Sequence, residues 1–474
     1  MRGNIFNVSI ILLLAIPTIA QNWYPVDKGT GIHNTNYVYA LEEYNGNLYM
    51  GGIFDSVGGH QENNIALWNG ISWSGLAGGI RGPSCDVSAL IVFNGNLIVA
   101  GRFDSAGNIP VNNIAAWNGT SWSTFGKGLK DWVGSLAVYK GNLYAGGRID
   151  SAGGVFVRNI AEWDGANWQA LGKGTGGNEN GAILSLASYD SVLYVGGWFD
   201  SAGGMLVNHI AQWDGTTWSA LGTGLTYGPY SSIINSTISK VNATIIYNGA
   251  LYAGGTFDSA QNSVMPNIAK WDGARWSEPI INGAYEFGTG QGVFALATNN
   301  NKLYLGGSFN TAGDSLVNNI VVWDGSECHT LGSGINGSYP TVYTMAFLFD
   351  SVFHDSALYA GGVFTSAGGK KANNLAVWTR DTLTGMIELN SKTENYRIYP
   401  NPSTGIFNFT VTGTIEKSSI GIYNMFGEMV YSSQFSTVNS QFSINLNNEP
   451  QGIYLYRVVT DKGEAVGSGK LIIR

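Results

Sequence analysis

The chain has 474 residues, 44% hydrophobic and 12% aromatic, which excludes global disorder and suffices for the cores of one large and one small domain. Its 67 glycines follow no three-residue period, which excludes a collagen-like chain and indicates many tight turns. The formal net charge is −8 and only 12% of residues are charged, so nucleic acid is not an expected partner.

The N-terminus carries the pattern of a secretory signal peptide over residues 1–20. Arg2 precedes an apolar run from Val8 to Ile16, and small residues lead to Ala20. Because this run is too short to span a bilayer and no longer apolar run follows, we expect cleavage after Ala20 and no transmembrane segment. The two cysteines, Cys85 and Cys328, are far apart, which predicts neither a disulfide framework nor a metal site.

One sequence unit recurs seven times at a period of about 50 residues. The clearest copy runs from Leu193 through Gly196-Gly197 to Trp213 and Trp218. The first tryptophan of each unit is Trp68, Trp117, Trp163, Trp213, Trp271, Trp323 and Trp378. Each unit contains four short β-rich runs, and a four-stranded unit buries both faces only by stacking on its neighbours. The repeat therefore predicts an all-β fold whose first part is a seven-bladed β-propeller.

Turn residues separate the runs of each unit. Asn-Gly pairs follow the first run, as at Asn45-Gly46, and Asn-Gly or Asp-Gly pairs follow the third, as at Asn69-Gly70. Such pairs favour the positive φ angles of a type I′ turn, so we expect two-residue hairpins at both places.

The two ends of the repeat region complement each other. The last unit stops at Trp378-Thr379, and the missing fourth run matches Trp23–Gly31 at the start of the exported chain. We therefore expect the N-terminal strand to close the seventh blade, in a propeller spanning residues 21–381. A second tryptophan per unit suits packing between blades; this slot holds Trp23, Trp73, Trp122, Trp168, Trp218 and Trp276, with Cys328 in the sixth unit.

A double glycine that ends strand two, an aromatic residue that begins a turn and a tryptophan about five residues on resemble the kelch-type propeller repeat; here they are Gly196-Gly197, Trp213 and Trp218. The unit departs from the kelch pattern in using tryptophan where tyrosine is usual and in its Asn-Ile-Ala-x-Trp run. It is closer to the glycine-rich propeller repeats of secreted surface proteins. The resemblance implies a scaffold and no particular chemistry.

Variable loops indicate which face binds a ligand. The minimal hairpin turns lie on one face, whereas the loops between strands two and three and the blade crossovers lie on the other and vary in length. Three residues in the longest crossovers, Tyr227, Tyr230 and Glu286, are candidate ligand-binding residues on that face.

The residue after the double glycine also varies from unit to unit: Ile53, Arg102, Arg148, Trp198, Thr256, Ser308 and Val363. If it lines the channel mouth, Arg102, Arg148 and Trp198 form a cation-and-aromatic cluster for an anionic or sugar ligand. The alternative is that these residues only pack against unequal neighbouring blades.

No nucleophile elbow, catalytic triad, zinc motif or phosphate loop is found in the sequence. Asp86, Asp131, Glu179 and Glu286 lie in crossovers and leave open a pair of carboxylates for glycoside cleavage. The repeated Phe-Asp-Ser-Ala-Gly run is better explained by aspartate capping its own turn than by calcium binding. We therefore expect no catalytic residues, no metal and no cofactor.

After a linker over 382–395, residues 396–474 form a different domain. The runs Tyr396–Gly405, Gly452–Arg457 and Gly469–Arg474 resemble the type A sorting domain of the type IX secretion system of the Bacteroidetes. The resemblance implies an immunoglobulin-like β-sandwich, contact with that secretion machinery, and a tail that is removed or attached to surface lipopolysaccharide. Alternating apolar residues, Ile453 and Leu455 among them, suit a half-buried sandwich; a purely structural appendage is the alternative.

Together these patterns predict a secreted or surface-displayed, non-catalytic propeller that binds a glycan or protein ligand on its loop-rich face. A secreted polysaccharide-degrading enzyme and a purely structural surface repeat are the alternatives.

Overall fold

The structure is a computed structural model. It describes residues 21–31, 36–177, 181–226, 239–261, 263–279, 292–313, 315–350, 355–380, 396–411, 418–424, 429–435, 441–460 and 465–474. None of these residues is helical. The chain separates into two compact units, Met1–Arg380 and Asp381–Arg474. The predicted signal peptide and linker lie outside the described residues.

The first unit contains seven antiparallel sheets of four strands each, as the repeat predicts. From the inner to the outer strand, blades 1 to 4 comprise Tyr37–Tyr44, Asn47–Ile53, Ile65–Trp68 and Trp73–Gly75; Asp86–Phe93, Asn96–Arg102, Ile114–Trp117 and Trp122–Thr124; Val133–Tyr139, Asn142–Gly147, Ile160–Trp163 and Trp168–Ala170; Ala182–Tyr189, Val192–Trp198, Ile210–Trp213 and Trp218–Ala220. Blades 5 to 7 comprise Lys240–Tyr247, Ala250–Thr256, Ile268–Trp271 and Trp276–Ser277; Val293–Asn299, Lys302–Gly307, Ile320–Trp323 and Cys328–Thr330; Thr341–Asp350, Asp355–Val363, Leu375–Arg380 and Gln21–Pro25.

The blades close into a ring. The inner strand of each blade contacts the inner strand of the next, and that of blade 7 contacts that of blade 1. Gln21–Pro25 pairs with Leu375–Arg380, with Trp23 opposite Trp378. The predicted seven-bladed propeller, closed by its N-terminal strand, is therefore confirmed.

Steric contact explains why strand two ends in a double glycine in six of the seven blades; blade 2 has Ala100-Gly101 there. A side chain on the first glycine would collide with the next blade, since a Cβ on Gly51 would lie 2.3 Å from Val87 Cγ1. A side chain on the second would collide with the inner strand of its own blade, since a Cβ on Gly52 would lie 1.9 Å from the Tyr37 carbonyl oxygen. The pair thus lets neighbouring blades and strands approach closely.

In five of the seven blades, the second tryptophan of the unit ties the blade to the preceding one. The indole of Trp218 is buried against Trp213, with ring centroids 5.3 Å apart. Its N–H donates to the carbonyl of Leu171 in blade 3, at 3.0 Å. The same bond recurs from Trp23, Trp122, Trp168 and Trp276. The tryptophans are thus part of the framework.

The prediction of two-residue turns is right for the first hairpin and wrong for the second. Asn45 and Gly46 both have positive φ and form a two-residue turn. The second hairpin pairs Trp68 with Trp73 and so has a four-residue loop. In that loop the side chain of Asn69 accepts the amide hydrogens of residues 71 and 72, so only Gly70 takes a positive φ.

The loops between strands two and three fold into short hairpins on the loop-rich face, and most of them pair with the preceding crossover. The repeat asparagine holds this arrangement. Asn113 accepts the amide hydrogen of Phe103 and donates to the Leu129 carbonyl. The short strands are Ser56–Val57, His60–Gln61, Ile80–Arg81, Ser105–Ala106, Ile109–Pro110, Leu129–Lys130, Ser151–Ala152, Val155–Phe156, Thr175–Gly176, Ser201–Ala202, Met205–Leu206, Leu225–Thr226, Ser259–Ala260, Ser263–Val264, Thr311–Ala312, Ser315–Leu316, Ile335–Asn336, Ser366–Ala367 and Lys370–Lys371.

The second unit has the two sheets of a β-sandwich. One contains Tyr396–Tyr399, Ile406–Val411 and Gln441–Asn445; the other contains Ser418–Tyr423, Met429–Phe435, Gly452–Thr460 and Ala465–Ile473. Phe407, Phe409 and Val458 are fully buried in its core. The expected phase of one strand is wrong, because Tyr454 packs inward whereas Leu455 is 46% exposed.

Candidate ligand-binding site at the channel mouth

Each inner strand carries a β-bulge at the same place, opposite the double-glycine position of strand two. The residue before the bulge is always Val or Ile and is fully buried: Val38, Val87, Val133, Ile183, Val241, Val293 and Val342. The bulged residue itself varies: Tyr39, Ser88, Gly134, Leu184, Asn242, Phe294 and Tyr343. Since a bulge re-aims its side chain, these residues form a variable ring near the mouth of the central channel.

On blades 6, 7 and 1 the ring is aromatic. The ring of Tyr343 contacts Phe294 at 5.5 Å and Tyr39 at 5.4 Å between centroids, both edge to face. Tyr37 stacks on Tyr39 at 5.5 Å with an interplanar angle of 13°. All four are half-buried. We call Tyr37, Tyr39, Phe294 and Tyr343 the aromatic wall.

Tyr39 and Tyr343 of the aromatic wall stay neutral near pH 7. Burial raises the pKa of the Tyr39 hydroxyl, and the nearby Tyr343, Tyr37 and Asp86 raise it further. Burial likewise raises the pKa of the Tyr343 hydroxyl. Both can therefore donate and accept hydrogen bonds at the mouth.

Beside the aromatic wall, blades 2 and 3 contribute a polar cluster of Asp86, Ser88, Arg102 and Trp132. The indole N–H of Trp132 donates to Ser88 Oγ at 2.9 Å, and Ser88 donates to the Asp86 carboxylate. Burial raises the pKa of Asp86, while the Ser88 hydroxyl and the charge of Arg102 act in the opposite direction. The cluster thus offers a half-buried carboxylate next to a guanidinium.

A glycine makes room for Trp132. A Cβ on Gly134, the bulged residue of blade 3, would lie 2.4 Å from the Trp132 ring. The indole therefore occupies the place that a side chain of blade 3 would take, close to Ser88 of blade 2.

The structure places the predicted site residues Arg102, Arg148 and Trp198 at the mouth end of strand two, each beside the start of an inner strand. Arg102 Nη2 lies 3.8 Å from Asp131 Oδ1, and both side chains are 46% exposed. The ammonium group of Lys240 lies 5.0 Å from the centre of the Trp198 ring. Arg148 is exposed, and its amide donates to the carbonyl of residue 132 at 2.8 Å.

For Arg102 and Trp198 the described contacts therefore reach the next blade, and a single cluster of the three residues stays a prediction. Tyr227, Tyr230 and Glu286, like Glu179, lie outside the described residues.

Sequence reasoning missed the aromatic wall and the polar cluster, apart from Arg102 and the carboxylate of Asp86. The repeat alignment does hold a signal for them: an invariant Val or Ile followed by a residue that changes from blade to blade. Alternation alone could not reveal it, because the bulge displaces that residue from the regular pattern.

No group of three or more His, Cys, Asp and Glu side chains in the described part of the chain is placed to hold a metal ion. Within the same residues, no helix is long and apolar enough to cross a membrane.

In the second unit, the Tyr-Pro-Asn-Pro run is bound to the last strand of the chain. The Asn401 side chain donates to the Lys470 carbonyl at 2.6 Å and accepts the Ile472 amide hydrogen at 2.9 Å. The amide of Ser403 donates to the Ile472 carbonyl, and that of Arg474 donates to the Ser403 carbonyl, both at 2.9 Å. The Tyr-Pro-Asn-Pro run and the last strand, which are far apart in sequence, are thus hydrogen-bonded to each other.

Residues 397–474 match the family model of the secretion system C-terminal sorting domain. Such a domain indicates export through the type IX secretion system and marks a protein that is secreted or attached to the outer cell surface. No curated protein is significantly similar to the chain in sequence.

Solved structures resemble the chain only distantly. PorZ, a surface component of the type IX secretion system of Porphyromonas gingivalis, is 12% identical, with a TM-score of 0.38 over 92% of this chain and 65% of PorZ. A copper-bound fungal alcohol oxidase of the AA5 family is 12% identical, with a TM-score of 0.36 over 96% of this chain and 99% of that chain.

A protein of unknown function from Bacteroides thetaiotaomicron is also 12% identical, with a TM-score of 0.34 over 74% of this chain and all (100%) of that chain. The chain thus spans less than two thirds of the length of PorZ. At these identities and TM-scores, the likenesses say nothing about the activity of this chain.

Proposed function

We propose that the propeller is a non-catalytic carbohydrate-binding domain, displayed on the cell surface or released from it, with its site at the channel mouth. The aromatic wall is the observation that carries the proposal. Tyr39, Phe294 and Tyr343 occupy a position that varies around the repeat, so the framework does not require aromatic residues there. Flat aromatic faces beside a few fixed polar groups are typical of small-ligand sites.

In this proposal a sugar ring stacks against the aromatic wall while its hydroxyl groups bond to the polar cluster. The Asp86 carboxylate accepts from a hydroxyl, and Arg102 donates to one. Asp86 is among the groups that raise the pKa of the Tyr39 hydroxyl, and the proposal places both groups around one ligand. Arg148 and Trp198 extend the same site around the mouth.

The crossover residues Tyr227, Tyr230 and Glu286 belong to the proposal as further ligand contacts, on the sequence argument alone. We assign the repeat to the kelch-like, glycine-rich propeller units of Bacteroidetes surface proteins. After export, the tail is removed or serves to attach the protein to lipopolysaccharide.

Two other functions compete with carbohydrate binding. Cleavage of a polysaccharide is favoured by one observation, the half-buried carboxylate of Asp86, which a hydrolase could use as an acid or base. In a purely structural repeat protein, the residues at the channel mouth would bind no ligand.

The test is an array of surface and plant polysaccharides probed with the full exported chain, with released reducing ends assayed in the same wells. Binding without release is the expected result. Release of reducing ends would show that the protein is a hydrolase and not a binding protein. The absence of both binding and release would refute a carbohydrate ligand. A Tyr39→Ala variant should lose binding, whereas Tyr189→Ala, an exposed tyrosine at the opposite end of its inner strand, should retain it.

A further inference from the structure

Blades 3 and 4 expose apolar side chains on the short hairpins of the loop-rich face. Phe156 is 67% and Leu206 71% exposed, and their neighbours Val155 and Met205 are 48% and 43% exposed. Each pair forms the edge strand of a three-stranded sheet. We call Val155, Phe156, Met205 and Leu206 the apolar rim.

Among the described residues, only blades 3 and 4 carry two exposed large apolar side chains at this repeat position; blade 6 carries one, Leu316, which is 81% exposed. At the same repeat position, blades 7 and 1 carry Lys370–Lys371 and His60–Gln61, all exposed. A common structural need would give the same residue type on every blade. The exposed apolar pairs of the adjacent blades 3 and 4 are therefore not a requirement of the repeat.

Positive charge flanks the apolar rim. The Arg158 guanidinium lies 6.0 Å from the centre of the Phe156 ring. Lys173 lies beside the turn that precedes Met205, since its Nζ is 3.6 Å from where a Cβ on Gly204 would be. Arg158 and Lys173 are exposed, on a protein whose formal net charge is −8.

We infer that the apolar rim is a docking surface for an anionic lipid membrane. Exposed apolar side chains that stand beside lysine and arginine are the composition of membrane-interface segments, in which the apolar groups enter the acyl boundary and the cations contact phosphates. Four side chains on two hairpin edges are far fewer than the roughly 20 to 30 residues a side of a stable protein interface.

The docking surface is separate from the channel mouth. The apolar rim lies next to the outer strands of its blades, whereas the aromatic wall lies on inner strands. A membrane contact at the rim of blades 3 and 4 leaves the aromatic wall of blades 6, 7 and 1 on the other side of the ring. The inference thus stands whether or not the mouth binds a carbohydrate.

The test is co-sedimentation of the full exported chain with vesicles of phosphatidylcholine, with and without phosphatidylglycerol. The chain should bind the anionic vesicles, and added salt should weaken binding because it screens the cations. A Phe156→Ser, Leu206→Ser double variant should bind at least about tenfold more weakly, since two buried side chains are lost from the contact. The matched control is Ile71→Ser, because Ile71 is 73% exposed in a turn of the opposite face.

Failure to bind either vesicle, or equal loss with Ile71→Ser, would overturn the inference. Sedimentation velocity of wild type and double variant gives the second check. If wild type is a dimer and the double variant is a monomer, the apolar rim binds a second copy of the chain, and the proposal of a lipid partner is refuted. Because the replaced side chains are exposed, the melting temperature of the double variant should match that of wild type.

Discussion

Replacing Trp23 by alanine should destabilise the propeller strongly, because this residue belongs to the strand that closes the ring. Trp23 is 1% exposed, and its ring lies 5.5 Å from that of Trp378 in the same blade. Its indole N–H donates to the carbonyl of Leu331 in blade 6 at 2.8 Å. The single side chain thus holds the N-terminal strand to two blades.

The expected cost has two parts. Emptying a buried tryptophan site costs about 3 to 5 kcal/mol, and leaving the Leu331 carbonyl without its donor adds about 1 kcal/mol or more. Urea unfolding should therefore show a lower midpoint at unchanged slope. A Trp23→Phe variant should recover most of the loss, since it refills the site but lacks the N–H.

Trp122→Ala is the matched control, because Trp122 makes the same bond to Leu76 at 2.9 Å within the ring. If the N-terminal strand closes the ring, both alanine variants lose several kcal/mol. A normal midpoint for Trp23→Ala beside a lowered one for Trp122→Ala would refute the closure of the seventh blade.

Three further predictions concern other contacts. Trp218→Phe should cost about 1 kcal/mol more in urea unfolding than Trp73→Phe, because Trp218 donates to a carbonyl and the buried Trp73 N–H has no described partner; equal costs would contradict this. Burial, and then the charge of Glu43, raises the pKa of Glu42 from 4.5 to about 7, so the stability of the fold decreases as the pH rises through that range. Glu42→Gln should therefore raise the free energy of unfolding by up to about 3 kcal/mol at pH 8 and leave it unchanged at pH 4. An effect that does not depend on pH would refute the raised pKa. Asn401→Ala should speed hydrogen exchange of the amide hydrogen of residue 472 about tenfold, for the loss of one bond.

The ring of blades was predictable from the sequence because the residues that make the contacts recur in every repeat unit at nearly the same positions. Leucine, double glycine and paired tryptophans recur in register, with Ala100 and Cys328 as the exceptions, so the fold of one blade predicts that of the others. The incomplete last unit shows where the N-terminal strand belongs. The sequence did not reveal why strand two ends in glycine. That reason lies in the next blade, since only the packed neighbour brings Val87 against Gly51.

The wrong predictions share a physical cause: a local sequence pattern does not show where a side chain leaves the regular geometry of its turn or strand. Asn69-Gly70 has the same sequence as Asn45-Gly46 and predicts the same two-residue turn. The Asn69 side chain instead accepts two amide hydrogens of its own loop, which has four residues. Leu455 reads as an inward residue, yet its strand has the opposite phase. The bulge hides Tyr39 from alternation in the same way, and its contact with Tyr343 depends on ring closure.

In the proposed function, the channel mouth binds a carbohydrate through the aromatic wall. The most direct measurement is a calorimetric titration of the best array ligand into wild type, Tyr343→Ala and Tyr189→Ala. Tyr343→Ala should bind at least about tenfold more weakly, as for an aromatic hot spot, and Tyr189→Ala should keep wild-type affinity. Wild-type affinity in Tyr343→Ala would contradict the proposed function and place the ligand elsewhere.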